Sequence, residues 1–245
     1  MIKDLWLIGI GAGSPSHVTQ EGMQALRDAQ VILMPDKGDE KSDLQRVRQD
    51  IISASGSAAR IVSFDYPSRD PALPYLERVS AWHDEIARRW QSAFPAPVEG
   101  PVALLVWGDP SLYDSTLRIA ERLSPPPKIR VVAGITALQA LTAAHAIPFN
   151  TIGGAVLVTT GRNLRDHGWP EDVERVAVML DGQADFTHLP AEGVYVWWGA
   201  YLGMEQQLLL SGKLSEIAED IRALRKDART THGWIMDCCL LQRDV

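Results

Sequence analysis

Short apolar runs alternate with amphipathic stretches over the first 150 residues. The runs predict strands at residues 4–10, 29–34, 59–64, 101–107 and 129–133. Between them, apolar residues recur every three or four positions, which predicts helices at residues 19–29, 73–94, 113–123 and 135–146. Because each strand is nearly all apolar, we expect an α/β domain with a mainly parallel sheet covered on both faces.

The pattern changes near Pro148. Further strand-like runs lie close together, and a helix is predicted among them at residues 215–225; the runs cover residues 155–160, 174–180, 193–200 and 232–242. This spacing favours a second, smaller α+β domain. We therefore expect an N-terminal domain over residues 1–150 and a C-terminal domain over residues 151–245.

Composition narrows the class of protein. Of the 245 residues, 46% are apolar and 22% are charged, which is ordinary for a globular protein. The apolar runs are too short to cross a bilayer, and Cys238 and Cys239 stand side by side without metal-ligand spacing, so we expect a reduced cytoplasmic protein without a metal. The net charge of -7 disfavours general nucleic-acid binding. An anionic small molecule would need only a few local arginines or lysines.

A glycine-rich loop follows the first predicted strand. Gly9 and Gly11 fit the dinucleotide-binding fingerprint, but Ser14 occupies the third glycine position. The best N-cap, Thr19, lies several residues downstream, so the helix would not direct its free amides at the glycines. We expect a tight strand-to-loop turn. A dinucleotide-binding oxidoreductase, with Asp36 on the ribose, is kept as an alternative hypothesis.

Two other predicted strands end in residues suited to a ligand site. The fourth strand ends at Gly108-Asp109-Pro110, and the fifth ends at Gly134-Ile135-Thr136. In open parallel sheets ligands bind at the carboxyl edge of the strands. By itself, the Gly108-Asp109-Pro110 tripeptide favours an ordinary strand-to-helix turn. The small residues after Gly134 are also compatible with close packing alone.

Taken in order, five segments of the chain resemble the tetrapyrrole (uroporphyrinogen/precorrin) methylases. They are GIGAGSPSHVT at residues 9–19, GDPSLY at 108–113, VVAGITALQA at 131–140, VAVMLDG at 176–182 and YVWWGAYLGMEQQLLLSGKL at 195–214. The resemblance runs from residue 5 to about residue 225. It implies a two-domain tetrapyrrole methylase-like fold, S-adenosyl-L-methionine bound between the domains, a polycarboxylate tetrapyrrole substrate and a homodimer. From the net charge and the short apolar runs we expect no nucleic-acid and no membrane partner.

The resemblance also assigns residues to the site. It implies that the cofactor is bound by Gly108, Asp109, Pro110, Leu112, Thr136, Ala137, Met179, Leu180, Ala200 and Leu202. The opening loop would border the substrate through Gly11 and Gly13. Because an acidic chain must concentrate positive charge locally to hold carboxylates, we add Lys37, Arg162 and Arg165 as substrate-binding candidates.

Within the family, Ala12 and the segments at residues 34–39 and 198–203 are most similar to one subgroup of methylases of the aerobic cobalamin pathway. Enzymes of that subgroup methylate precorrin-5 at carbon 1 and release acetate. Loss of the acetyl group needs a water molecule and a general base. Asp36, Tyr113 and Asp114 are the catalytic candidates, although each is also compatible with a structural role. A methylase of another tetrapyrrole, or of a different substrate such as a diphthamide precursor, is the alternative.

Overall fold

The computed structural model describes residues 1–36, 42–94 and 96–243. The chain forms two compact units, Met1–Thr136 and Ala137–Val245. The helix Ala137–His145, which the sequence pattern placed in the first domain, packs on strands of the second unit. The structural division therefore falls before the boundary near residue 150 that the sequence predicts.

The first unit is built on a parallel sheet. Among its described residues the strands follow the order β3-β2-β4-β1-β5, and every pair of neighbours is parallel. The strands are β1 (Asp4–Gly9), β2 (Val31–Asp36), β3 (Arg60–Asp65), β4 (Val102–Val106) and β5 (Lys128–Val132). The helices are α1 (Gln20–Asp28), α2 (Ser42–Ser55), α3 (Tyr75–Ser92) and α4 (Thr116–Ala120). The predicted parallel α/β sheet is confirmed.

Alternation along β1 explains how both faces of the sheet are covered. Leu5 and Leu7 are fully buried against the side that carries α3 and α4. Ile8 and Ile10 are fully buried against α1 and α2 on the other side. Successive side chains of a strand point to opposite faces, so an all-apolar strand requires helices on both. Because all five strands run parallel, their carboxyl ends lie at the same edge of the sheet.

Helix boundaries follow local capping. The Thr19 side chain accepts a hydrogen bond from the Gly22 amide at 3.0 Å, as predicted for the start of α1. The prediction for α4 starts too early, at residue 113. Tyr113 has a φ of 50°, outside the helical region, and the Asp114 side chain accepts the Thr116 amide at 2.6 Å, so the helix begins at Thr116.

The second unit holds a mixed sheet. In its described part the strand order is β6-β7-β10-β8-β9, with β6 and β7 parallel and the other neighbours antiparallel. The elements are α5 (Ala137–His145), β6 (Val156–Thr160), α6 (Gly161–His167), β7 (Arg175–Met179), β8 (Val194–Ala200), β9 (Leu208–Lys213), α7 (Leu214–His232) and β10 (Asp237–Arg243). The sequence pattern identified neither α2, α6 nor β9.

A buried ion pair ties α7 to β10. Arg225 donates to Asp237 at 2.7 Å, and both side chains are 8% exposed. The Trp198 indole donates to the same carboxylate at 2.8 Å from β8. Cys238 and Cys239 are free thiols buried in β10. No helix in the described ranges combines the length and apolar character needed to span a bilayer.

Candidate functional site

Three glycines meet where β1, β4 and β5 end. A Cβ added to Gly9 would lie 2.6 Å from the Gly134 nitrogen and 2.8 Å from the Gly108 oxygen. A Cβ added to Gly134 would overlap that same Gly108 carbonyl. Gly108 has a φ of 62°, which residues with a side chain rarely adopt. Only residues without side chains allow these three loops to approach so closely.

Asp109 joins the loop after β4 to the loop after β5. Its Oδ2 accepts the Gly134 amide at 2.9 Å, and its Oδ1 accepts the Ser111 amide at 2.8 Å together with the Ser111 hydroxyl. Burial alone would raise the pKa of Asp109, but these hydrogen bonds outweigh it and hold the pKa below its usual value. The ionised carboxylate therefore fixes the segments at residues 108–113 and 134–136 against each other.

The opening loop pairs with the same bend. The Gly108 amide donates to the Gly11 carbonyl at 2.9 Å, and the Gly11 amide donates back at 3.3 Å. A Cβ on Gly11 would overlap the His17 side chain, which covers this backbone. Ser14 caps the short 3-10 helix Pro15–His17 rather than α1. The glycines serve a tight turn, as the sequence indicates.

Three non-glycine residues in or beside the candidate cofactor segments have left-handed backbones. These are Tyr113, Leu180 and Tyr201, with φ values of 50°, 53° and 50°. Such a conformation costs about 1–2 kcal/mol for a residue with a side chain. Retained strain is a feature of ligand sites, where the surrounding structure holds the backbone in place.

The candidate cofactor residues of the first unit differ in exposure. Pro110 is buried below the bend, whereas Leu112 and Thr136 are half-buried. Leu112 donates its amide to the Asp109 carbonyl at 3.2 Å, which closes the turn. The Gly108 bend and the Gly134–Thr136 segment therefore lie together. Their contacts with the cofactor stay a prediction.

The candidates of the second unit lie at the ends of β7 and β8. Met179 is the last residue of β7, and the following Leu180 is 66% exposed. Ala200 ends β8 with no exposed surface, and Leu202 is 4% exposed. Ala137 opens α5, and its carbonyl lies 3.8 Å from the Cys238 sulfur. Ala200 and Leu202 are thus buried as whole residues, and their contacts with a cofactor stay a prediction.

The substrate-binding candidates have different surroundings. Arg165 donates to Asp166 at 3.0 Å and to Asp185 at 2.9 Å, so its charge is already compensated by the protein. Arg162 is exposed on α6. Gly13 has a φ of 151° in the opening loop. Lys37 lies outside the described residues.

The three catalytic candidates follow β2 and β4. Asp36 ends β2, and its carbonyl accepts the Tyr66 amide at 3.1 Å. Tyr113 is 40% exposed, and burial raises the pKa of its phenol. Asp114 is half-buried beside it. Within the described ranges, no three histidine, cysteine, aspartate or glutamate side chains are grouped to hold a metal ion.

A buried arginine that the sequence pattern did not identify lies at the carboxyl edge of the first sheet. Arg48 of α2 is 6% exposed, and its guanidinium carbon lies 5.0 Å from the centre of the Trp107 ring. Trp107 follows β4 directly, so the pair adjoins the Gly108 bend. The signal was present in the chain: Arg48 occupies an apolar position of the helical repeat formed by Leu44, Ile51 and Ile52.

Comparison with known proteins identifies the family. The family model of the Tetrapyrrole (Corrin/Porphyrin) Methylases matches residues 4–218, which is most of the chain. The chain belongs to this family. The protein is a methyltransferase, and the dinucleotide-binding oxidoreductase hypothesis is set aside.

Individual relatives narrow the place of this tetrapyrrole methylase within the family. A protein of Sinorhizobium sp named precorrin-6A synthase [deacetylating] is 39% identical over 251 residues, covering 99% of this chain and 96% of the relative. The crystal structure of a cobalamin synthesis related protein (CobF) from Corynebacterium diphtheriae is 41% identical, covers 99% of both chains and has a TM-score of 0.84.

A more distant structural relative was crystallised with a product of the methyl donor. Uroporphyrin-III C-methyl transferase from Thermus thermophilus, complexed with S-adenyl homocysteine, has a TM-score of 0.61 and 16% identity. The match covers 98% of this chain and 92% of that chain. At this identity the likeness shows that the fold is shared.

Proposed function

We propose that this tetrapyrrole methylase uses S-adenosyl-L-methionine to methylate precorrin-5 at carbon 1, releasing acetate and forming precorrin-6A in aerobic cobalamin biosynthesis. The 39% identity to precorrin-6A synthase [deacetylating] over 99% of the chain carries the proposal. The 41% identity to the cobalamin synthesis related protein over 99% of both chains supports the same pathway.

The loops around Gly108 and Gly134 fit a ligand that is bound through main-chain groups. Both Asp109 oxygens are occupied by donors of the protein itself, so its side chain positions the loops rather than the ligand. We assign cofactor contacts in the first unit to the backbone of residues 108–112 and 134–136. In the second unit we assign them to Ala137, Met179, Leu180, Ala200 and Leu202. When bound, S-adenosylmethionine supplies an electrophilic methyl group.

Methyl transfer asks little acid-base chemistry of the protein. An electron-rich ring carbon of the substrate forms a bond to the methyl carbon, and the sulfur-carbon bond breaks with its electron pair left on sulfur. The protein contributes by alignment, which is worth about 7–11 kcal/mol of barrier in well-oriented reactions. A bend fixed by Asp109 and three close-packed glycines is suited to hold such an alignment.

Acetate release requires a water molecule. The water oxygen bonds to the acetyl carbonyl carbon, and the bond from that carbon to ring carbon 1 breaks with its electron pair left on carbon 1. This pair forms the bond to the methyl group, and the base takes the proton that the water releases. A phenol has an ordinary pKa of about 10, and burial raises the pKa of Tyr113 further. The protonated group suits a hydrogen-bond donor to the carbonyl oxygen. The carboxylates of Asp36 and Asp114 are then the candidates for the base that activates the water.

We also propose that the enzyme acts in the cytoplasm as a homodimer. Free, buried thiols at Cys238 and Cys239 fit a reducing compartment. Size-exclusion chromatography with light scattering tests the dimer, since a monomer would elute with the mass of 27.0 kDa.

Incubation with precorrin-5 and isotopically labelled S-adenosylmethionine tests the reaction. We expect one labelled methyl group in the corrinoid product and one equivalent of acetate in solution. Asp114→Asn, with Asp50→Asn on the exposed face of α2 as its control, should slow acetate release more than it weakens S-adenosylhomocysteine binding. A methylated product that keeps its acetyl group would instead identify a methylase of another tetrapyrrole step.

A further inference from the structure

Arg48 lies at the carboxyl edge of the first sheet, on the α2 side. Trp107, which follows β4, stacks under its guanidinium at 5.0 Å. Tyr66 follows β3, and Asp114 follows the Gly108 bend. The side chains of both residues interact electrostatically with the Arg48 guanidinium. The cluster thus collects side chains from successive strand ends at the edge where ligands of open parallel sheets bind.

The charge of Arg48 is poorly compensated inside the protein. Within the described ranges no carboxylate lies within ion-pair distance of its guanidinium, and Nη1 donates a long hydrogen bond to the Leu44 carbonyl at 3.5 Å. Burial lowers the pKa of Arg48 to about 10, although Tyr66 and Asp114 act in the opposite direction. A buried cation without a close partner is costly and is rarely kept for stability.

Two buried donors of this cluster lack acceptors. In the part of the chain that the structure describes, neither the Arg48 Nε nor the Trp107 Nε1 has a hydrogen-bond partner. Both groups only donate, so an acceptor must come from elsewhere to satisfy them. Both unpaired nitrogens are themselves buried, whereas Trp107 as a whole is half-buried and Arg48 keeps 6% of its surface exposed.

A carboxylate matches this arrangement in charge and in geometry. Its two oxygens accept hydrogen bonds from the planar guanidinium, and charge-assisted bonds of this kind are stronger than neutral ones. We propose that Arg48 and Trp107 bind a carboxylate on the rim of the tetrapyrrole substrate. The inference rests on the proposed function, because that function supplies a polycarboxylate ligand. Arg48 then determines how the macrocycle is oriented over the Gly108 bend.

Binding of uroporphyrin III, a stable polycarboxylate tetrapyrrole, tests the assignment in Arg48→Met. Loss of one partner of a desolvated charge pair should weaken binding about 30-fold or more, measured by quenching of tryptophan fluorescence. The free variant should also have a higher Tm, since Met replaces an uncompensated cation with apolar volume. A merely structural arginine would give a lower Tm and unchanged affinity, which would overturn the inference.

Matched variants separate charge from fold. Arg46→Met changes an exposed arginine on the same helix and should alter neither affinity nor Tm. Arg48→Lys keeps the charge but loses the planar fork, so its affinity should fall between wild type and Arg48→Met. Failure of the wild-type protein to bind uroporphyrin III would also overturn the assignment.

Sodium acetate, compared with sodium chloride at equal ionic strength, distinguishes a substrate side chain from the released product. We expect acetate not to displace uroporphyrin III. Specific displacement would overturn the assignment to a substrate side chain and give the site to free acetate. Precorrin-5 turnover and S-adenosylhomocysteine binding by the wild type test the proposed function separately. If the wild type neither turns over precorrin-5 nor binds S-adenosylhomocysteine but still binds uroporphyrin III through Arg48, the proposed function is refuted and the carboxylate site is not.

Discussion

The Asp109 carboxylate accepts the backbone amide of Gly134 at 2.9 Å, across 25 residues of sequence. This hydrogen bond joins the loop after β4 to the loop after β5, and Ser111 holds the other carboxylate oxygen. The two segments that the family resemblance assigns to the cofactor are therefore one structural unit. Changes at Asp109 should affect both of them together.

Replacing Asp109 with asparagine should loosen this junction. The variant keeps the size of the side chain but removes the negative charge that accepts the Gly134 and Ser111 hydrogen bonds. Hydrogen bonds to a charged group contribute about 1.5–3 kcal/mol, so we expect a loss of that order in the free energy of unfolding. We also expect weaker S-adenosylhomocysteine binding. Urea denaturation and calorimetric titration measure the two effects.

The acid dependence of stability checks the same contact. The pKa of Asp109 is lowered in the folded protein, because its hydrogen bonds outweigh the opposing effect of burial. Its stabilisation is therefore fully present above the ordinary carboxyl pKa of about 3.9 and is lost as the pH falls through the lower folded value. Asp109→Asn should lack this component, while the exposed control Asp50→Asn should keep it. Equal acid sensitivity in both variants would contradict the assignment.

Gly134→Ala tests the close approach of the three loops. The new methyl group would overlap the Gly108 carbonyl, a backbone atom that cannot rotate away. Forced overpacking costs about 1–3 kcal/mol, which corresponds to a decrease in Tm of about 2–4 °C per kcal/mol for a chain of this size. Gly182→Ala is the control, because its methyl group would meet nothing within 4 Å. Equal Tm values for the two variants would rule out the described junction.

The parallel sheet was predictable from sequence because its signal is local. Each strand is an unbroken apolar run, and Thr19 caps α1 through the amide three residues later. Both features depend on residues close together in the chain. The Asp109–Gly134 hydrogen bond is a long-range contact, and periodicity carries no information about it. The family resemblance pointed to both segments, and only the structure shows that they touch.

The missed elements have identifiable causes. The stripe of α2 that faces the core includes a charged residue, Arg48, so its pattern is weaker than that of a fully apolar helix. Strand β9 alternates half-buried and exposed positions at Leu208–Lys213, so it lacks the continuous apolar run that marks the other strands. Arg48 is a charged residue at an apolar position of the helical pattern, and such local departures are expected at functional or strained sites.

Asp237→Ala should strongly destabilise the second unit. The change removes the partner of buried Arg225 and the acceptor of the Trp198 indole. Breaking a buried ion pair from one side costs about 3–5 kcal/mol, because an uncompensated charge remains. Glu99→Gln is the contrast, since Lys3–Glu99 is an exposed pair, and such pairs contribute at most about 1 kcal/mol. Similar losses in the two variants, measured by urea denaturation, would refute the importance of the buried pair.

Leu180 allows strain and ligand contact to be measured apart. Its φ of 53° and its 66% exposure place an apolar side chain in a strained backbone at the end of β7. Leu180→Gly should relieve a left-handed penalty of about 1–2 kcal/mol, partly offset by about 0.5–1 kcal/mol of added unfolded-state entropy. The net gain in stability should thus reach about 1 kcal/mol, whereas Leu180→Ala keeps the strain and should gain nothing.

Both Leu180 variants should bind S-adenosylhomocysteine about tenfold more weakly or worse, because full burial of a leucine against a ligand contributes about 1.5–3 kcal/mol. Ala146→Gly is the matched control. Ala146 has a φ of 54° at the end of α5 and lies outside the candidate cofactor segments. That variant should gain stability without any change in affinity. If Leu180→Gly and Leu180→Ala bind S-adenosylhomocysteine as tightly as the wild type, Leu180 has no contact with the cofactor.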